Sequence, residues 1–212
     1  MFVMKITEGV AELIGALIGD GYIYTGHRKY QIGFVGSPKT DKGYFENLKR
    51  LIYSEWKKES KITLRERGLR IVINSKELVN FLIDELNIPH GEGKCEKVII
   101  PEIIANDWNL ARKAIRGIAD TDGSVFVAQK PGIKNYPSIE ITTSSRALAE
   151  QIKNLLSEKG FRVANIWSYK SKLSKRTTYK VPLNGKENVR KWIEEIGFSN
   201  PYKLNRALEY SK

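Results

Sequence analysis

The chain has 212 residues and a formal net charge of +12, from 36 Lys and Arg against 24 Asp and Glu. That balance points to a polyanionic partner, most simply nucleic acid, and the lack of any apolar run of about 18 residues excludes a membrane-spanning helix. The single cysteine, Cys95, excludes an internal disulfide, the scattered His27 and His90 leave no zinc site of ordinary spacing, and with no secretory leader a cytoplasmic protein is expected.

The first element is an apolar helix through Leu13-Ile14-Gly15-Ala16-Leu17-Ile18-Gly19-Asp20-Gly21. Gly21 is expected at C′, in the left-handed conformation that closes a helix. Asp20 then sits where unpaired carbonyls already concentrate negative charge. Strand-like runs at 22–26 and 30–35 follow, joined by a polar turn. An amphipathic helix over 44–58 carries Phe45, Leu48, Leu51, Ile52 and Trp56 at helical spacing. A hairpin at 62–67 and 69–74 turns at Gly68. Ser75 caps a helix to about residue 87, apolar at Leu78, Val79, Leu82, Ile83 and Leu86. Residues 89–106 are expected to link this half to a second.

The second half repeats the order. Ile115-Arg116-Gly117-Ile118-Ala119-Asp120-Thr121-Asp122-Gly123 closes a helix on Asp-Gly again, with Gly123 at the expected C′. Strands at 125–129 and 138–143 precede a helix at 145–159. A hairpin at 161–170 and 178–183, with both strands extended, precedes a helix at 186–196. A tail helix over 201–212 places Leu204 and Leu208 on one side. Setting Asn74 on Asn184 pairs Arg70 with Lys180, Lys76 with Lys186, Glu77 with Glu187, Val79 with Val189, Ile83 with Ile193 and Glu85 with Glu195. Such self-similarity argues for duplication and a pseudo-twofold, which matches the symmetry of a duplex.

One Asp-Gly is a common turn pair; the same pair closing both helices points to a cation. Gly15 and Gly19, and Gly117 and Thr121, are small residues four apart, hence on one face. Helices packed through such faces approach closely, which brings Asp20 and Asp122 together. With the carbonyls of Gly19 and Thr121 they would make a hard-oxygen site suited to Mg²⁺.

Strand parity places Leu69, Ile71 and Ile73 inward, with Ile62 and Leu64 beside them, and Tyr179, Val181 and Leu183 likewise in the second half. The other parity and the turns collect a basic face: Arg28, Lys29, Gln31, Lys61, Arg65, Arg67 and Arg70 in the first half. The second half supplies Lys130, Lys134, Lys170, Lys172, Lys175, Arg176 and Lys180. A sheet with one apolar and one basic face suits contact with phosphates along a groove.

The two nonapeptides resemble the paired motifs of the LAGLIDADG homing endonucleases, in the monomeric two-motif form of the archaeal intron-encoded type. The resemblance implies an α+β fold of two pseudo-symmetric αββαββα halves, 1–88 and 107–212, whose antiparallel sheets form a saddle and whose motif helices make the interface. It implies that Asp20 and Asp122, at the eighth motif positions, bind a divalent metal, Mg²⁺ with Mn²⁺ as substitute, beside Gly19 and Thr121. Asp120 stands where the first motif has Ile18, and takes a structural role. By the same resemblance Lys94, in Ile88-Pro89-His90-Gly91-Glu92-Gly93-Lys94, and Lys203, in Phe198-Ser199-Asn200-Pro201-Tyr202-Lys203, are the basic residues near the site. Ser37 and Thr143 fall where relatives orient water, often with a glutamine that this chain lacks. The implied activity is hydrolysis of both strands of double-stranded DNA at a long asymmetric site, leaving staggered ends. Two alternatives share the scaffold, an RNA-splicing maturase bound to intron RNA and a DNA-binding protein that no longer cleaves. A basic structural protein is the alternative outside nucleic acids.

Overall fold

The computed structural model describes residues 4–66, 68–170 and 176–212. Thr7 caps α1 (Glu8–Ile18), accepting from the Val10 N–H at 3.0 Å. Every residue from Val10 to Ile18 is buried, as a helix with no polar face must be. The chain continues as β1 (Gly21–Gly26), β2 (Lys29–Gly36), α2 (Lys42–Trp56), β3 (Ile62–Arg65), β4 (Gly68–Asn74) and α3 (Lys76–Asn80). Ser75 caps α3 as expected, but the helix then widens into a π-helical turn, Phe81–Glu85. Between the halves lie two short helices, α4 (Lys94–Lys97) and α5 (Glu102–Ala105), with Val98, Ile100 and Ile104 buried.

The second half follows as α6 (Trp108–Asp122), β5 (Gly123–Lys130), β6 (Ile133–Thr143), α7 (Arg146–Glu158), β7 (Trp167–Lys170), β8 (Thr177–Asn184), α8 (Lys186–Glu195) and α9 (Pro201–Tyr210). The two antiparallel sheets have the same order, β1-β2-β4-β3 and β5-β6-β8-β7. The repeat holds at the residue that defined its register. Asn74 Oδ1 accepts from Gln31 Nε2 at 2.9 Å, and Asn184 Oδ1 accepts from Ser138 Oγ at 2.8 Å.

The core-facing residues of both sheets and the facing sides of α1 and α6 join into one hydrophobic cluster. The two motif helices pack backbone to backbone. A Cβ on Gly15 would lie 2.0 Å from the Ala114 carbonyl oxygen, and one on Gly117 2.2 Å from that of Glu12. Glycine is therefore a requirement of the interface, as the four-residue spacing implied.

Several expectations need correction. Gly21 and Gly123 do not take the left-handed conformation: each opens a strand, Gly123 with φ −88° and ψ 154°. They are glycines because the strand doubles back over the helix end, where a Cβ would meet Leu17 Cα at 2.5 Å and the Ala119 oxygen at 2.4 Å. Residues 161–166 are not a strand; β7 is short, with one bridge from Val163 to Leu183 ahead of it. Leu64 is exposed on the edge strand β3, and Leu208 is exposed because α9 turns Lys203 and Ala207 inward instead.

Gly117→Ala is expected to destabilise the protein by about 3 kcal/mol, the upper range for overpacking, because the obstructing atoms are backbone; urea unfolding measures it.

Candidate active site

The Gly15 and Gly117 contacts bring the C-terminal ends of α1 and α6 side by side. A Cβ on Gly19 would stand 2.0 Å from Thr121 Oγ1 and 3.0 Å from Asp122 Oδ2. Asp20 and Asp122 are thus neighbours across the pseudo-twofold. Burial raises the Asp122 carboxyl to about 7, with repulsion from Asp20 adding and Lys203 and Lys94 opposing. Asp20 is exposed at the helix end, yet partial desolvation by its surroundings raises it, Lys203 pulls it back and Asp41 pushes it further up.

Both expected lysines arrive here, and neither is a surface charge. Lys94 Nζ donates to the carbonyls of Leu17 and Gly21, each at 2.6 Å. Lys203, 8 % exposed, donates to Ala119 at 2.9 Å, Asp120 at 2.7 Å and Thr121 at 2.9 Å. Each ammonium therefore holds the last carbonyls of one motif helix, where the backbone needs a cation. All three Lys203 donors are engaged and Lys94 keeps one spare. Burial lowers both, Lys94 to about 8. The Thr121 carbonyl, expected as a metal ligand, is occupied on one side by Lys203.

Asp120 is structural, as its motif position implied. It is 1 % exposed and accepts from the backbone N–H groups of Ser199 at 2.9 Å and Asn200 at 3.0 Å. Burial raises it to about 7 against those hydrogen bonds. The Asn200 side chain caps α9 at Tyr202 and donates to Asp41 Oδ1 at 3.0 Å. Ser37 and Thr143 are spent locally. Ser37 Oγ accepts from Lys39 N–H and Thr143 Oγ1 from Ser145 N–H, each within a turn that starts the next helix.

Three residues here went unread in the sequence. Asp41, beside Asp20, was visible only as the residue ahead of α2. Glu12 is the lone acid of α1's buried face; it pairs with Arg116 and accepts from Ser199 Oγ at 2.5 Å. The Tyr44 hydroxyl is buried with no partner among the described residues.

The charge ledger fits a cation. Lys203 feels four carboxylates, Asp120, Asp41, Asp122 and Asp20, and only Lys94 is a second ammonium among them. No cluster of three or more acidic, histidine or cysteine ligands occurs among the described residues. Two carboxylates with open positions suit Mg²⁺, which usually takes one or two plus substrate phosphate oxygens.

Among the described residues, the basic face is unequal in the two halves. Gln31, Lys61, Arg65 and Arg70 line one groove of about 540 Å³ on the outer side of the first sheet, with Arg28 and Lys29 exposed at the β1–β2 turn. In the second half three of the expected phosphate contacts are tied to the protein. Lys180 pairs with Glu140 at 2.6 Å, Arg176 with Glu96 at 3.2 Å, and Lys130 lies 4.5 Å over the Tyr136 ring. Lys170 is exposed at the end of β7. Arg67, Lys172, Lys175 and the Lys134 side chain lie outside the described residues.

Residues 109–197 match the family model of a LAGLIDADG-like domain. A replication factor C small subunit of Methanocaldococcus jannaschii is 31 % identical over 97 % of this chain, which spans 10 % of that protein's length. A tRNA-splicing ligase RtcB of Pyrococcus abyssi is 25 % identical over 94 % of the chain and is spanned for 23 % of its length. The solved structure of I-DmoI in complex with DNA and Mn superposes with TM-score 0.60 at 19 % identity, over 90 % of this chain and 97 % of that one. The fold is thus the two-domain fold of a homing endonuclease solved on DNA with metal.

A carboxyl raised on folding from 3.8 to about 7 holds its proton more tightly folded than unfolded. Its cost to stability is absent below pH ~4 and grows as the pH climbs through ~7. Metal-free Asp122→Asn is therefore expected to be more stable than wild type at pH ~8, by at most about 4 kcal/mol, with the gain vanishing near pH ~4. Thermal unfolding across that range tests it.

Proposed function

We propose that this chain, whose residues 109–197 are a LAGLIDADG-like domain within the two-domain LAGLIDADG fold, is a metal-dependent endonuclease that cuts both strands of a long asymmetric DNA site. The observation that carries this is the convergence of Asp20 and Asp122 at the paired helix ends. A partner carrying its own phosphates would complete that oxygen set. Because one chain supplies both carboxylates, it acts as a monomer.

Asp20 and Asp122, with the Gly19 carbonyl and the free side of the Thr121 carbonyl, would hold Mg²⁺ or Mn²⁺. The bound metal would lower the pKa of the attacking water and steady the leaving 3′ oxygen. Lys203, fully engaged with carbonyls, ties down the α6 terminus, and its charge would help stabilise a phosphate bound there. Lys94, with one free donor and a pKa of about 8, is the lysine able to orient water or pass a proton at its Nζ. The grooved first sheet and the second sheet would straddle the duplex, one carboxylate serving each strand and leaving staggered ends. Relatives that match this chain over a tenth to a quarter of their length carry names that share no activity. That supports a mobile unit carried within unrelated proteins.

A randomised duplex library incubated with Mg²⁺ tests the reading. Wild type is expected to cut one long site, while Asp20→Asn and Asp122→Asn still bind it and leave it intact. Tight, salt-sensitive duplex binding by wild type with no cutting in Mg²⁺ or Mn²⁺ refutes the nuclease and favours a non-cleaving binder. Preference for intron RNA over duplex favours a maturase.

A further inference from the structure

The shared register allows the two outer sheet faces to be compared position by position. Gly33 opposite Val72 and Val35 opposite Arg70 correspond to Glu140 opposite Pro182 and Thr142 opposite Lys180. On the edge strands, Thr63 opposite Arg70 corresponds to Trp167 opposite Lys180. The first face has no acid at the central position, since the Tyr22 ring lies where a Gly33 side chain would be. Arg70 has no side-chain partner among the described residues. It shares its groove with Gln31, Lys61 and Arg65, against Glu59 at the rim.

The second face is built differently. Glu140 is 7 % exposed, and its carboxylate holds Lys180 Nζ at 2.6 Å. The ammonium lies 4.7 Å from the Trp167 ring centroid, and that ring is itself 46 % exposed. An acid beneath a lysine cancels the net charge that attracts phosphate, so this pair is poorly suited to backbone contact. What it gains is position: one of the three ammonium donors is fixed to Glu140 and the ring backs the group, leaving two donors with no hydrogen-bond acceptor among the described residues. Among base edges in the major groove, only guanine presents two adjacent acceptors, O6 and N7. Adenine sets a donor beside N7, thymine has one acceptor and a methyl, and cytosine a donor.

We propose that Lys180, held by Glu140 and backed by Trp167, is a base-reading residue that selects a guanine in the half-site under the second sheet. The Arg70 groove instead supplies sequence-independent affinity. The inference rests on the duplex-binding reading above.

The test is selection of bound duplexes from a randomised library in Ca²⁺, with salt titrations, for wild type, Lys180→Met, Glu140→Gln and Arg70→Met. Wild type is expected to retain one guanine in the second half-site. Lys180→Met is expected to lose that preference by tenfold or more at that position alone. Glu140→Gln leaves the lysine charge uncancelled, so binding to all sequences tightens, the salt slope steepens by about one and the guanine preference falls. Arg70→Met weakens binding to every sequence alike and flattens the slope by about one. A Lys180→Met or Glu140→Gln protein that loses only thermal stability, with the wild-type base profile intact, overturns the proposal. A wild type with no duplex preference overturns the functional reading beneath it, a different result.

Discussion

The close approach of α1 and α6 is the constraint on which the rest of the structure depends. Gly15 and Gly117 leave so little room that carbonyl oxygens of the partner helix stand where side chains would be. Helices brought that near end at one level, and their C-terminal dipoles add rather than cancel. Placing the exposed Asp20 and the half-buried Asp122 on those ends adds negative charge where unpaired carbonyls already concentrate it, an arrangement that nearby cations relieve. The two lysines are the part of that compensation supplied by the protein itself.

Their unequal commitment matters for chemistry. Lys203 spends every donor on α6 carbonyls, whereas Lys94 spends two on the α1 end and the first residue of β1. The α6 end is also tied through Asp120 to Ser199 and Asn200, and through Asn200 to Asp41 at the start of α2. No such anchor exists at Ile18, an apolar residue at the matching motif position. Asp122 thus sits on the braced helix end and is also the carboxylate that Lys94 feels most, whereas Asp20, on the unbraced end, feels Lys203 more than Lys94. Two sites related by pseudo-symmetry need not act alike.

Much of this was legible in the sequence because it depends on period and spacing. The alternating strands, the four-residue spacing of Gly15, Gly19, Gly117 and Thr121, and the Asn74–Asn184 register all follow from local geometry. What escaped depends on contacts between distant segments. Asp41 and Asn200 meet across 159 residues, and Glu12 and Arg116 across 104. At Gly21 and Gly123 glycine is required, but by steric closeness to the helix end, which no local pattern reveals, rather than by a left-handed φ. The π-helical turn at Phe81–Glu85 has no marker in an evenly spaced apolar pattern.

Divergence between the duplicated halves follows from what each sheet position can afford. At the centre of the outer face, Gly33 admits the Tyr22 ring and sets no acid beneath Arg70, leaving Glu59 as the one acid lining that groove. At the same place in the second sheet, Glu140 draws Lys180 down and neutralises it. A symmetric ancestor would bind a palindrome with two equal grips. Under the duplex reading proposed above, the first sheet would hold while the second discriminates, a division that suits an asymmetric site.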